Sequence, residues 1–267
     1  MKYLHIFNFE VKRSYKIFIW WTIAWVLMIL MLLPFYNTFS TQGQEFAQVY
    51  QSLPDAFKVA FNLNELSLST ISGYINTELM ELLELFSCFF GLYLGSRSIQ
   101  KEINNKSILF LLSKPVSRTK IFLAKVDSIF LLSVASNAIL MLFLGFGVIF
   151  FTDADAPVKY LAYSFVVLML MFTLYYALGI LLGVIKDGGT IAIGAIVIIV
   201  TFMFNIMSKI SDSADFLKYL TPYHYLDLGP VVSGQSIAIE NIFFILIIAL
   251  GLFVLGFRVF TNRDIDT

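Results

Sequence analysis

The hydrophobic pattern of this chain is a series of long apolar runs separated by shorter polar connections. About 20 apolar residues cover the roughly 30 Å hydrocarbon core of a bilayer. Six segments reach or approach that length: Ile17–Tyr36, Tyr74–Ser96, Ser128–Phe151, Tyr160–Ile185, Gly188–Ser208 and Asn241–Phe257. Between the fourth and fifth, Lys186-Asp187 followed by Gly188-Gly189 predicts a tight turn. The expected fold is all-α and integral to the membrane, with six transmembrane helices forming one domain over residues 1–267.

Residues 1–16 read as an interfacial helix ahead of the first span. At 100° per residue, Leu4, Phe7, Val11, Tyr15 and Phe18 share a face, and Lys2, Lys12, Arg13 and Lys16 fall largely opposite. Ile6 and Phe9 break the pattern. Such a helix lies in the headgroup plane; a frayed basic tail is the alternative. The run Ile17–Leu33 exceeds the apolar core of about 7–15 residues in a cleavable signal, so a retained span is expected. Two connections are long, about 37–73 and 209–240. The first carries Leu53, Phe57, Ala60, Phe61 and Leu63, enough apolar surface for a short helix on the membrane. The second gathers Tyr219, Pro222, Tyr223, Tyr225 and Pro230, which fits either a partly re-entrant cap or a solvated loop.

Composition and charge sharpen this picture. Hydrophobic residues make up 59% and charged residues 13% of 267, with a mean hydropathy of +0.83. Soluble domains carry about 25% charged residues, so the apolar surface needs lipid. The formal charge of zero gives no reason to expect a nucleic-acid partner. A single cysteine, Cys88, excludes an internal disulfide and a cysteine-rich metal site, and no metal is expected. With six spans and an N-terminus inside, 14 of the 18 Lys and Arg residues fall on one side and 4 on the other. The positive-inside rule then places both termini in the cytoplasm.

Candidate chemistry is sparse. The chain has no G-x-x-x-x-G-K-[ST], no H-E-x-x-H and no G-x-S-x-G, so neither an ATP-binding P-loop nor a familiar catalytic centre is expected. Glu78, Glu81 and Glu84 are spaced by three in the second span, over an arc of about 120°. Only twelve uncharged residues separate Glu84 from Arg97, about 18 Å of helix. With Arg97 at the inner surface, Glu84 sits about two-thirds of the way across. A carboxylate facing lipid there costs on the order of 3 kcal/mol. It is expected to face protein or a wet cavity, or to be protonated. The three acids read either as an acidic lining for a cationic or amphipathic substrate, or as a solvated helix N-terminus. Asn137 is a candidate for the same pathway, against the plainer role, shared with Asn205, of joining helices. Gly91-x-x-x-Gly95 and Gly179-x-x-x-Gly183 permit close helix approach.

The longest charged interval between spans runs from Arg97 to Lys125 and holds seven basic residues. Ile99, Ile103, Phe110, Leu111 and Leu112 place apolar surface beside Lys101, Glu102 and Lys106. Pro115 stops a helix running through Leu112 and restricts Lys114, so a helix, a turn at Ser113–Ser117 and a new helix led by Arg118 are expected. Such a hairpin suits force transmission at the cytosolic surface, or anchorage to anionic lipid. Glu102, the run Leu111-Leu112-Ser113-Lys114-Pro115-Val116-Ser117-Arg118, and Lys125 resemble the cytosolic signature of bacterial ABC-2 type permease subunits. These include permeases of multidrug and peptide-antibiotic export and of nitrous-oxide-reductase maturation. Phe260-Thr-Asn-Arg263-Asp264-Ile265 is similar to their C-terminal ending.

The resemblance implies a multi-pass permease in the bacterial cytoplasmic membrane and not an enzyme. Two permease subunits, identical or paralogous, would form an export pathway. Separate ATPase subunits carrying ATP and Mg²⁺ would dock on residues 97–125. Glu102, Leu111, Leu112, Lys114, Pro115 and Arg118 would be the coupling residues. Two other readings share the topology. One is a non-transporting immunity or sensory subunit of an ABC complex. The other is an ion-coupled secondary transporter with Glu81 and Glu84 as proton sites.

Overall fold

A computed structural model describes residues 3–41, 53–54, 58, 70–104, 117–155, 157–186 and 188–262, without the side chains of 39–41, 99 and 101–104. Among them are helices and no strand. Helix α1 is Tyr3–Leu32 and α2 is Phe35–Thr41. Helix α3, Ile71–Ile75, passes through a π-helical turn, Asn76–Met80, into α4, Glu81–Asn104. The long helices α5, Arg118–Phe151, α6, Val158–Ile185, and α7, Thr190–Ile210, follow. A 3-10 turn, Asp212–Leu220, and the short helices α8, Pro222–Tyr225, and α9, Gly229–Val232, lead to α10, Ile239–Asn262. Six helical stretches are long and apolar enough to cross a membrane.

Local chemistry sets the helix ends. Pro34 lacks an N–H and stops α1; the Tyr74 hydroxyl takes up the Leu32 carbonyl at 2.8 Å. Thr70 caps α3 by accepting from the Gly73 N–H at 3.1 Å, and Ser117 caps α5 by accepting from Lys120 at 3.4 Å. Gly189, at φ 71°, makes the left-handed corner between α6 and α7 that side chains with a Cβ adopt rarely.

The centre of the bundle is α6, packed against α4 along two glycine stripes. A Cβ at Gly91 would lie 2.5 Å from the Phe172 carbonyl oxygen, and one at Gly183 would lie 2.6 Å from that of Ser96. Gly95 and Gly179 face each other, the Cβ of either falling 3.1 Å from the other's Cα. The two G-x-x-x-G pairs therefore meet within one chain. Helix α10 brings Gly256 against Ile180 and Leu181, and α7 brings Gly194 against Leu92. Helix α1 lies along α5, where the Thr22 and Ser136 hydroxyls share a hydrogen bond of 2.6 Å. It reaches α4 through Trp21, stacked on Phe90 at 4.3 Å between centroids.

The N-terminal segment corrects one expectation. It is not a separate interfacial helix: α1 runs unbroken for 30 residues, about 45 Å. Its first turns dock on the start of α5. Ile6 is buried with Ile121 and Ala124, Tyr3 donates to Asp127, and Lys125 reaches the buried Glu10 at 2.6 Å. Leu4 and Phe9 point outward. A protein neighbour therefore selects the buried face, and Ile6, which broke the apolar stripe, is at its centre. The segment 37–73 yields α2 at its start, and the helix expected around Leu53–Leu63 lies mostly outside the described residues.

Because the glycine contacts are with backbone, added methyl groups cannot be absorbed by a rotamer change. Gly95→Ala and Gly179→Ala are each expected to cost about 1–3 kcal/mol of stability. Gly251→Ala, whose Cβ meets nothing within 4 Å, is expected to be neutral. Thermal midpoints of the detergent-purified protein measure the difference; equal midpoints for all three would contradict a rigid seam.

Candidate functional site

At the end of the bundle away from the N-terminus, the connection between α7 and α10 folds into a cap. Thr221 accepts from the Tyr223 N–H at 3.4 Å and Pro222 occupies the first turn of α8. Tyr223, Leu226, Leu228 and Val231 are buried. This settles the choice between cap and solvated loop in favour of a folded cap.

Beneath the cap is a narrow cleft of about 30 Å³, open in part to solvent. Glu81 and Glu84 enter it from α4, and Asn76 from the π-helical turn. Phe202, Asn205, Ile206 and Lys209 line it from α7 at the spacing of one helical face. Tyr223, Asp227 and Leu228 come from the cap. Three carboxylates and one ammonium group thus share a small space, and Glu84 interacts electrostatically with Glu81, Asp227 and Lys209. Asp227 is held by the Gly229 N–H at 2.9 Å, and buried Asn76 accepts from the Tyr160 hydroxyl at 3.0 Å. Tyr223 donates to the Cys88 sulfur at 3.6 Å below the acids. Burial, followed by the neighbouring Cys88 and Tyr175, raises the Tyr223 phenol well above its ordinary pKa, so it stays a donor. Such a lining favours a cationic or hydrogen-bonding guest. Among the described residues, no group of three or more His, Cys, Asp or Glu is placed to hold a metal ion.

Glu78 does not line the cleft, although its spacing from Glu81 suggested a shared face. It sits in the π-helical turn, which breaks the regular register between the two positions. Asn137 also lies elsewhere. Its amide is buried on α5 and donates to the Ser133 carbonyl at 3.0 Å and toward the Met169 sulfur of α6 at 3.5 Å. That is a helix-joining arrangement. Asn76, Lys209, Tyr223 and Asp227 were not singled out from sequence as lining residues. Lys209 is placed by its face of α7, and only the fold of the cap turns Asp227 toward α4.

At the opposite end, Glu102 lies in the last turns of α4, while Leu111, Leu112, Lys114 and Pro115 are outside the described residues. Arg118 opens α5 and donates to the Thr261 carbonyl at 3.1 Å, at the C-terminal end of α10, where cations are favourable. The residue that leaves the 97–117 connection is thereby tied to the final helix.

Six helices long and apolar enough to cross a bilayer mark a multi-pass membrane protein. Residues 6–265 match the family model described as ABC-2 family transporter protein, and the chain belongs to this family. No curated protein sequence matches it. ABC-2 permeases generally work with an ATPase partner.

The cleft geometry has a direct chemical test. Asn205→Cys is expected to react with a charged maleimide at least about tenfold faster than native Cys88, which is fully buried. Mass spectrometry of the labelled, purified protein distinguishes the two thiols; comparable rates would mean that the cleft is closed to solvent.

Proposed function

We propose that this chain is the permease of an ABC exporter that couples to a separately encoded ATPase through residues 97–125. Membership of the ABC-2 family across residues 6–265 carries the reading, together with a sequence that has no P-loop of its own. The 14-to-4 distribution of basic residues supports both termini, and the 97–125 connection, in the cytoplasm. Two permease copies, or this chain and a paralogue, would enclose the pathway. Glu81 and Glu84, with Asn205, Lys209 and Asp227, would form its outward polar section. Excess carboxylate favours cationic or amphipathic cargo. ATP-driven closure of the ATPase pair would push on the connection, whose far end enters α5 beside the tie between Arg118 and α10.

Two measurements test the reading separately. In a reconstituted permease–ATPase complex, Glu84→Gln is expected to lower substrate-stimulated ATPase activity about tenfold while assembly persists. That matches the loss of one charge-assisted hydrogen bond of about 1.5 kcal/mol. Wild-type activity would remove Glu84 from the pathway. For docking, Lys114→Glu and Arg118→Glu are both expected to abolish co-purification of the cognate ATPase. Arg118→Glu also loses the bond to Thr261, so the thermal midpoints of both variants are measured alongside. Retention of the ATPase by both variants would sink the coupling role.

A further inference from the structure

A second cleft, of about 190 Å³, opens at the basic end among α1, α4 and α5. The proposed transport pathway does not use it. Its charged walls are Arg13 and Glu10 from α1, Arg97 from α4 and Lys125 from α5. Glu10, the one carboxylate among the described lining residues, is held by Lys125 at 2.6 Å, with Arg13 at 3.6 Å. Arg97 lies over the Tyr93 ring at 5.2 Å and donates to its hydroxyl, which holds the guanidinium at the wall. Ile17, Leu94 and Ile129 supply an apolar floor.

A further buried group stands behind this wall. The Tyr176 hydroxyl is buried beside Ser98 and interacts electrostatically with Glu10, both of which line the cleft.

Depth identifies the ligand. Arg97 is the first charge after twelve uncharged residues of α4, and Ile17 begins the apolar run of α1. The cationic wall is thus at headgroup level and the apolar floor at the top of the acyl region, where basic side chains at span ends reside. We propose that this cleft seats the phosphate of an anionic phospholipid from the leaflet at the basic end, with Arg13 and Arg97 as its principal contacts. Basic pockets between transmembrane helices recognise such headgroups. A free phosphate would use the cations and leave the apolar floor without a function. The site does not depend on substrate, transport direction or ATPase docking.

Native mass spectrometry of the full-length purified chain tests the site, with phosphatidylglycerol, phosphatidylcholine, inorganic phosphate and glycerol 3-phosphate offered in parallel. The wild type is expected to retain phosphatidylglycerol over phosphatidylcholine. Arg13→Gln with Arg97→Gln should reduce that retention about twentyfold, whereas exposed Arg258→Gln keeps it. Ser14→Trp fills the cleft without changing its charge, so it keeps the test decisive should the double variant fold poorly. It should also lose the lipid. Lipid retention unchanged in Ser14→Trp, or in a folded Arg13→Gln/Arg97→Gln variant, would overturn the proposal. So would equal binding of inorganic phosphate and phospholipid.

Discussion

Backbone contact between α4 and α6 is the constraint on which the rest of this structure depends. In a membrane, lipid tails are as apolar as leucine, so helices gain little from hiding hydrophobic surface from one another. What favours a particular neighbour is close van der Waals approach. Gly91 and Gly95 on one helix and Gly179 and Gly183 on the other supply it, with room for hydrogen atoms and no more. Once that seam is closed, α10 and α7 have fixed surfaces to meet, and the start of α4 is held at a set rotation beneath the cap.

That rotation brings the polar groups together. The seam lies toward the basic end of α4, and Glu81 and Glu84 emerge from the same helix at the other end. Helix α7 contributes residues at i, i+3, i+4 and i+7, and the cap closes the third side. Carboxylates that would be expensive against lipid are instead gathered with an ammonium group, two amides and access to water. The π-helical turn marks the upper limit of this face: Glu81 is inside the cleft, and Glu78, one register earlier, is not.

At the basic end, a buried ion pair joins the first helix to the third span. Desolvating Glu10 and Lys125 is costly, and removing one partner from such a pair typically costs about 3–5 kcal/mol. The pair therefore marks where α1 must sit rather than simply adding stability. It also makes the first turns of α1 part of the body of the protein, next to the point where the 97–117 connection enters α5. Movement of that connection would be felt by α1 through Lys125 and by α10 through Arg118.

Much of this was legible in the chain before any helix was placed. Crossing a bilayer is a property of about 20 consecutive residues, so six spans and the Gly188-Gly189 corner follow from local composition. The bias of basic residues is equally local. Partner choice is not. Nothing in the spacing of Gly91, Gly95, Gly179 and Gly183 says that the two pairs meet each other rather than a second copy. An amphipathic stripe at residues 1–16 has the same form whether it lies on lipid or on α5. Glu78, Glu81 and Glu84 share a periodicity that only the observed turn interrupts; Lys209 approaches Glu84 because α7 packs beside α4, and Asp227 because the cap folds back over α7. Sequence determined what enters the membrane because transfer from water is additive along the chain; tertiary structure decided which faces meet because close packing depends on residues far apart in it.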